Sequence, residues 1–201
     1  MPKQVDHDLR RREIVDVVWR LLATRGISAL SMRAIADEAG YANGVLAYYF
    51  AGKEEVLRYA YEHVHRATND RVADRIGDAR GLAGLRVLCR EIMPLTEESL
   101  LEARIATSLW QRAMYDPEIG RINTDAWAEW RGRIWGLLTQ AAEDEEIVDA
   151  DIAVTADRLL SMLMGMQVMG VLTPESMGAV HQQKLLDQTL DDLRAPPPAP
   201  V

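Results

Sequence analysis

Apolar positions recur at helical spacing along almost the whole chain. Ile14, Val17, Val18, Leu21 and Leu22 share one face of a segment over 9–25, and Gly26 stops it. The same pattern predicts helices near 53–76, 82–93, 97–114, 118–143, 151–171 and 175–194. Gly77, Gly81, Pro94, Asp116-Pro117, Asp149 and Pro174 punctuate them. No stretch shows the period of two that a half-buried strand needs, and no segment repeats. The pattern predicts an all-α protein. Its segment 151–171 is apolar on nearly every face, from Leu159 to Val171, so it must be covered on all sides. Residues 175–194 carry Leu186, Leu190 and Leu193 on one stripe. These two helices fit either a monomer core or, doubled by a second subunit, a four-helix interface. The end APPPAPV, 195–201, cannot continue a helix and is expected to be a disordered Pro-rich tail.

Residues 31–55, SMRAIADEAGYANGVLAYYFAGKEE, carry denser local signals. Ser31 can cap a helix by accepting an unpaired first-turn N–H, with Leu30 and Ile35 at the positions of a hydrophobic staple. Gly40 supplies the left-handed residue that ends it. A short helix over 43–49 and a third helix led by Lys53 follow. Helix, sharp turn and second helix form a helix-turn-helix signature, a unit that lays its second helix in the major groove of DNA.

This segment resembles the DNA-binding signature of TetR-family transcriptional regulators. Arg33, Ile35, Ala36, Ala39, Gly40, Gly44, Leu46, Tyr49, Phe50, Lys53, Glu54 and Leu57 match it at fixed spacing. Ala42 departs from the family's usual capping Ser, Asn43 fills a variable position that is often basic, and Ala47 replaces a frequent Tyr. Asn43 can cap the recognition helix instead, starting it one residue later. The order of the C-terminal segments resembles the BetI-like branch. The resemblance implies an N-terminal three-helix helix-turn-helix DNA-binding domain over 1–58 and a C-terminal helical ligand-binding and dimerisation domain over 59–194. It implies a repressor that binds a palindromic double-stranded DNA operator as a homodimer through 151–194. A small-molecule effector, apolar or aromatic, would release it. The departures at Ala42 and Ala47 keep open a helical small-molecule-binding protein that has lost its operator.

Composition narrows this picture. The net charge is −8, which on its face disfavours DNA. Its distribution is uneven: residues 1–58 carry nine Lys/Arg against eight Asp/Glu, and residues 59–201 fourteen against twenty-three. An acidic body confines nucleic-acid contact to the front of the chain. One cysteine, Cys89, excludes an internal disulfide framework and agrees with a reducing cytoplasm. No apolar run looks long enough to span a bilayer, and the polar start MPKQVDHDLRRRE lacks a signal peptide's apolar stretch. A cytoplasmic protein is expected.

For DNA, the candidates are Ser31, Arg33, Ala42, Asn43, Gly44, Val45, Tyr48, Tyr49 and Lys53. Lys53 is the most telling, because a cation in the first turn of a helix opposes the macrodipole unless a phosphate lies nearby. Tyr48 is expected to face outward. Asn43 can read adenine through a bidentate amide or cap the helix. Gly44 lets backbone approach the duplex, although tight helix packing explains it as well. Arg10-Arg11-Arg12 reach phosphate or simply keep the first helix soluble. For a ligand, the candidates are Glu102, Arg104, Trp110, Gln111, Met114, Trp127, Trp130 and Met166, since tryptophan and methionine suit a flat or greasy molecule. Such stripes also build ordinary cores. Choline-type cations over a Trp face stay among the ligands that the BetI-like resemblance implies. No cofactor or metal is expected. EDEEIVDAD, 143–151, lacks calcium-loop spacing and reads as a loop plus a helix cap, and His63 and His65 point to different sides of one helix. No nucleophile elbow, phosphate loop or zinc signature suggests an enzyme.

Overall fold

A computed structural model describes residues 2–26, 29–148 and 151–194. Its elements there are α1 (Pro2–Arg25), α2 (Met32–Ala39), α3 (Asn43–Tyr49), α4 (Lys53–Ile76), α5 (Gly81–Ile92), α6 (Glu97–Ala113), α7 (Pro117–Glu143), α8 (Ile152–Leu172) and α9 (Ala179–Asp191). Among the described residues the one β feature is an isolated bridge between Ile147 and Arg194. The tail 195–201, Asp149 and the side chain of Leu22 lie outside what is described. The fold is all-α, as the periodicity predicts. Two boundaries differ: α1 begins before residue 9, and α9 begins only at Ala179, after a turn over Pro174–Met177.

Helix ends follow their caps. Asp116 accepts the amides of Glu118 and Ile119 and opens α7, with Pro117 at the first position. Thr96 and Ser99 form a reciprocal capping box on α6. Within the acidic loop, Asp151 caps α8 and Glu146 accepts the Leu82 amide at 2.6 Å, capping α5 from across the fold. That is the structural use of the 143–151 charges.

Two apolar clusters make the core. The first joins α1–α4 to Ile105, Ala106 and Leu109 of α6 and Ile119 and Ala126 of α7. The second unites α5, α7, α8 and α9 around Leu85, Leu88, Ile134, Leu138, Leu159, Leu163, Leu186 and Leu190. Residues 58 and 59 fall inside α4, which runs unbroken through both clusters. Gly170 lets α8 close on Pro94 and Gln182; a Cβ there would meet Pro94 Cγ at 2.9 Å.

The expectation that no apolar run could span a bilayer needs correction. At 21 residues, α8 passes that test by length and composition. It packs here on α6 and α7, buries Leu159, Leu163 and Met166, and carries Asp157 ion-paired with Arg131. Its outer face is not covered by any of the described residues. Val154, Met169 and Leu172 are exposed, and so is Val180 at the start of α9.

Candidate functional site

Each part of the helix-turn-helix is set by a local device. Ser31 Oγ accepts the Ala34 amide at 3.1 Å, and Leu30 and Ile35 are both buried in the first cluster. Gly40 adopts φ +70°, and the Gly40 and Tyr41 amides return to the carbonyls of Asp37 and Ala36 at 3.3 and 2.9 Å. Ala42 occupies the N-cap of α3 and supplies no side-chain bond. Asn43 is therefore the first helical residue rather than the cap, because Ala42 already has the extended backbone a cap needs; the Asn43 side chain lies outside what is described. Leu46 and Phe50, each 1% exposed, pin α3 to the core. Gly44, Val45 and Tyr48 are left on the open face, with Tyr48 72% exposed.

Arg11, read from the sequence as a phosphate contact or a solubilising charge, instead fixes the far end of α3. Arg11 donates from Nε and Nη2 to the Tyr49 carbonyl at 3.1 and 2.8 Å, and pairs through Nη2 with Glu55 at 2.8 Å. Its guanidinium lies 4.9 Å from the Phe50 ring centre and 5.4 Å from that of Tyr59. A cation at a helix C-terminus also meets favourable partial charge. Of the basic run, then, Arg11 is spent inside the domain, Arg10 pairs with Glu13, and Arg12 is exposed. Tyr49 is half-buried between Tyr48 and His7, with ring centres 5.2 and 5.0 Å apart.

Lys53 leads α4, half-buried and in no ion pair among the described residues. Glu55 accepts the Ala51 amide at 2.7 Å at the same helix start. Arg33 is 83% exposed and makes one loose contact, 3.8 Å, with Asp37. Val45, Tyr48, Arg33 and Lys53 thus stay free for a ligand outside the fold. The start of α4 is tied to the α6–α7 corner by Arg112 on Glu54 at 2.8 Å and by Arg58 on Glu118. The Arg112 hydrogen bond holds the Glu54 carboxyl below its usual range.

In the body, a void of about 10 Å³ lies between α4, α6, α7 and α8, lined by Tyr61, His65, Glu102, Trp110, Trp130 and Gln167. Three of the eight expected ligand residues line it: Glu102, Trp110 and Trp130. Trp127 stands behind Trp110, edge-on at 5.6 Å, and Met166 packs in the second cluster. Arg104, Gln111 and Met114 are exposed on the far side of α6, the last at 69%. They fall there because α6 buries the stripe of Glu102, Ala103, Ile105, Ala106 and Leu109, and Arg104 and Gln111 project about half a turn away. Tyr61 escaped the sequence reading and His65 was weighed there only as a metal ligand, although tyrosine and histidine four apart on α4 were a usable signal.

Glu102 is buried and receives a bidentate bond from Arg71 at 2.8 and 2.7 Å. Arg71 also reaches Glu91 at 3.2 Å, which Arg75 contacts from its other side. Burial raises the Glu102 carboxyl, and the Arg71 guanidinium pulls it back only in part. Glu102 in turn holds Arg71 more firmly charged. Burial lowers His65, opposed by Glu129. It pushes the Cys89 thiol up to about 12, leaving no thiolate for chemistry. Among the described residues no three His, Cys, Asp or Glu side chains could hold a metal.

This combination, a capped helix-turn-helix with a bare reading face on a helical body, defines a DNA-binding regulator. A model of bacterial regulatory proteins of the tetR family matches residues 14–60, and one of the BetI-type transcriptional repressor C-terminal region matches 82–195. The chain belongs to the TetR family of transcriptional regulators, with a BetI-type C-terminal region, and is a DNA-binding protein rather than an enzyme. The HTH-type transcriptional regulator PksA of Bacillus subtilis is 26% identical over 96% of this chain and 94% of its own. The regulator BetI 2 of Chromohalobacter salexigens is 24% identical over 96% and 92%. Among solved structures, a putative transcriptional regulator from Saccharomonospora viridis, in complex with choline, superposes with a TM-score of 0.84 at 22% identity, covering 92% of this chain and 96% of its own. The ketosteroid regulator KstR2 of Mycobacterium tuberculosis gives 0.68 at 22%, over 93% and 96%.

Proposed function

We propose that the protein is a ligand-responsive repressor that works in the cytoplasm. Residues 1–58 form its reading head, and 59–194 its receptor and dimerisation body. The exposed face of α3, with Val45 and Tyr48 outward while Leu46 and Phe50 are buried, is the observation that carries the DNA half of this reading. Lys53, Arg33 and the Ser31 end of α2 hold the flanking phosphates. A second copy covers the apolar outer faces of α8 and α9, setting two α3 helices about 34–36 Å apart, or a multiple, for a palindromic operator. The effector is a small molecule with an apolar or aromatic body, taken into the Trp110–Trp130 interior. The choline-bound neighbour puts organic cations first among those to try. Binding releases the operator only as far as the ligand prefers the released conformation.

The test is a titration against DNA from just upstream of the protein's own gene, repeated across salt concentrations. The expected outcome is saturable binding with a log–log salt slope of about −0.9 per phosphate contact, reduced by about one contact in Lys53→Ala. Binding no tighter than to random duplex would overturn the operator reading.

A further inference from the structure

The void beside Trp110 and Trp130 holds at most one water, whereas a small-molecule site needs several hundred cubic ångströms. Any ligand taken there has to push a wall aside. Two surface clefts abut it. One, of about 390 Å³ between α4 and α7, is separated from it by Tyr61 and His65, which line both spaces. The other, of about 310 Å³ beside the α5–α6 turn, shares Ser99 with it and lies behind Arg71 and Glu91.

These walls differ in what holds them. Behind the second cleft, Arg71 grips Glu102 through two bonds of 2.8 and 2.7 Å and reaches Glu91 as well, and both carboxylates are 8% exposed. Opening that wall strands buried charge, the costliest kind of unpairing. The α4–α7 wall is held by single contacts of weaker kind. The Tyr61 hydroxyl donates to Asn123 Oδ1 at 3.2 Å, and Trp130 Nε1 to Asn69 Oδ1 at 3.1 Å. Asn69 donates to Glu129 at 3.1 Å, and the His65 ring lies 5.1 Å from that of Trp130. Among the described residues His65 Nε2 is buried with no hydrogen bond of ordinary geometry, its nearest carboxylate 3.7 Å away. Contacts of this kind contribute little net, because water replaces them when they separate. His65 Nε2 even gains a partner. Tyr61, His65 and Asn69 follow one another at intervals of four along α4, so the polar groups form one stripe along a single seam.

We propose that small molecules enter and leave the body through the α4–α7 seam, with Tyr61 and His65 as the door and Asn69 as its latch. The Arg71–Glu102–Glu91 cluster is the fixed side about which it opens. This rests on the reading of the body as a receptor. At the mouth Glu62, Asp125 and Glu129 stand with Arg66, and Arg121 and Arg133 pair with Asp125 and Glu129, so the charges balance and the door does not sort solutes by sign.

Collisional quenching of tryptophan fluorescence tests the door without knowing the effector. The whole chain, with Trp19 and Trp135 replaced by phenylalanine, is titrated with acrylamide. Asn69→Ala and Tyr61→Ala should raise acrylamide quenching. Tyr61→Phe, which keeps the ring and drops one hydrogen bond, should raise the opening equilibrium about fivefold. Quenching that stays at the parental value in all three door variants, or that rises more for Ser99→Ala on the opposite wall, overturns the proposal. If those variants also bind operator normally, only the door is lost. Failure to bind operator with quenching as expected sinks the repressor reading and leaves the door standing.

Discussion

The reading head and the body solve opposite problems with the same material. In the head, most polar side chains that matter to the fold act on near neighbours; the exceptions are Arg11 and the ties of Glu54 and Arg58 to Arg112 and Glu118. Of its cations, Arg33 faces outward with one loose contact to Asp37 at 3.8 Å, and Lys53 is half-buried and in no ion pair among the described residues. In the body, polar groups are drawn inward and matched across helices: Arg71 with Glu102 and Glu91, Tyr61 with Asn123, Trp130 with Asn69. A rigid head presents one surface, whereas a body with polar seams in its core can rest in more than one packing.

The largest effect should come from the body's charge cluster. Arg71→Met leaves the buried Glu102 carboxylate without its partner beside Glu91, which keeps Arg75, and unfolding in urea should show a loss of roughly 3–5 kcal/mol. Replacing Glu91 and Glu102 with glutamine in the same chain should restore most of it. If Arg71→Met alone costs less than about 1 kcal/mol, the cluster is wetter than its burial implies and the contrast with the head weakens.

Arg11→Ala is the head's counterpart. It removes a charge-assisted grip on the last carbonyl of α3, worth about 1.5–3 kcal/mol, and loosens the helix that meets DNA. Stability and operator affinity should fall together. Arg11→Lys should not rescue, because an ammonium cannot make the forked bond to Tyr49 while pairing with Glu55 and lying over Phe50.

What the sequence made legible follows the same division. Ser31, Leu30, Ile35 and Gly40 act on neighbours within a few residues, so the helix-turn-helix could be read from one short window. Arg11 could not, because its partners stand 38 and 44 positions away. In the body, residue type pointed to Trp110, Trp130 and Glu102. Phase along α6 then put Arg104, Gln111 and Met114 outside. The hydrogen bonds that Asn69 and Asn123 make across the seam depend on how α4 lies across α7, which no local pattern encodes.

Lys53→Ala sharpens the comparison with a smaller effect of opposite signs. Removing a cation from the first turn of α4 should leave stability unchanged or raise it by about 0.3–1 kcal/mol. Operator affinity should drop, with a flatter salt slope. Tyr48→Ala should likewise keep stability within about 0.5 kcal/mol. A large stability loss in either variant would mean that the head's open face is structural.

The smallest effect is that of pH, and its sign separates the groups of the body. His63 and His65 both have folded pKa values lowered by burial from an ordinary 6.5, so below that pH the unfolded chain takes up protons that the folded chain refuses. Stability should therefore be full above about pH 7, fall as pH drops through 6.5, and level off once the folded histidines also titrate. Glu102 acts in the other direction. Its raised pKa lets the folded state bind a proton first, which returns stability as pH approaches 4.5. Urea midpoints measured between pH 7.5 and 5 should show the histidine slope flattened in His65→Gln and steepened in Glu102→Gln. A slope unchanged in His65→Gln would mean that His65 already meets water through the α4–α7 seam in the resting protein.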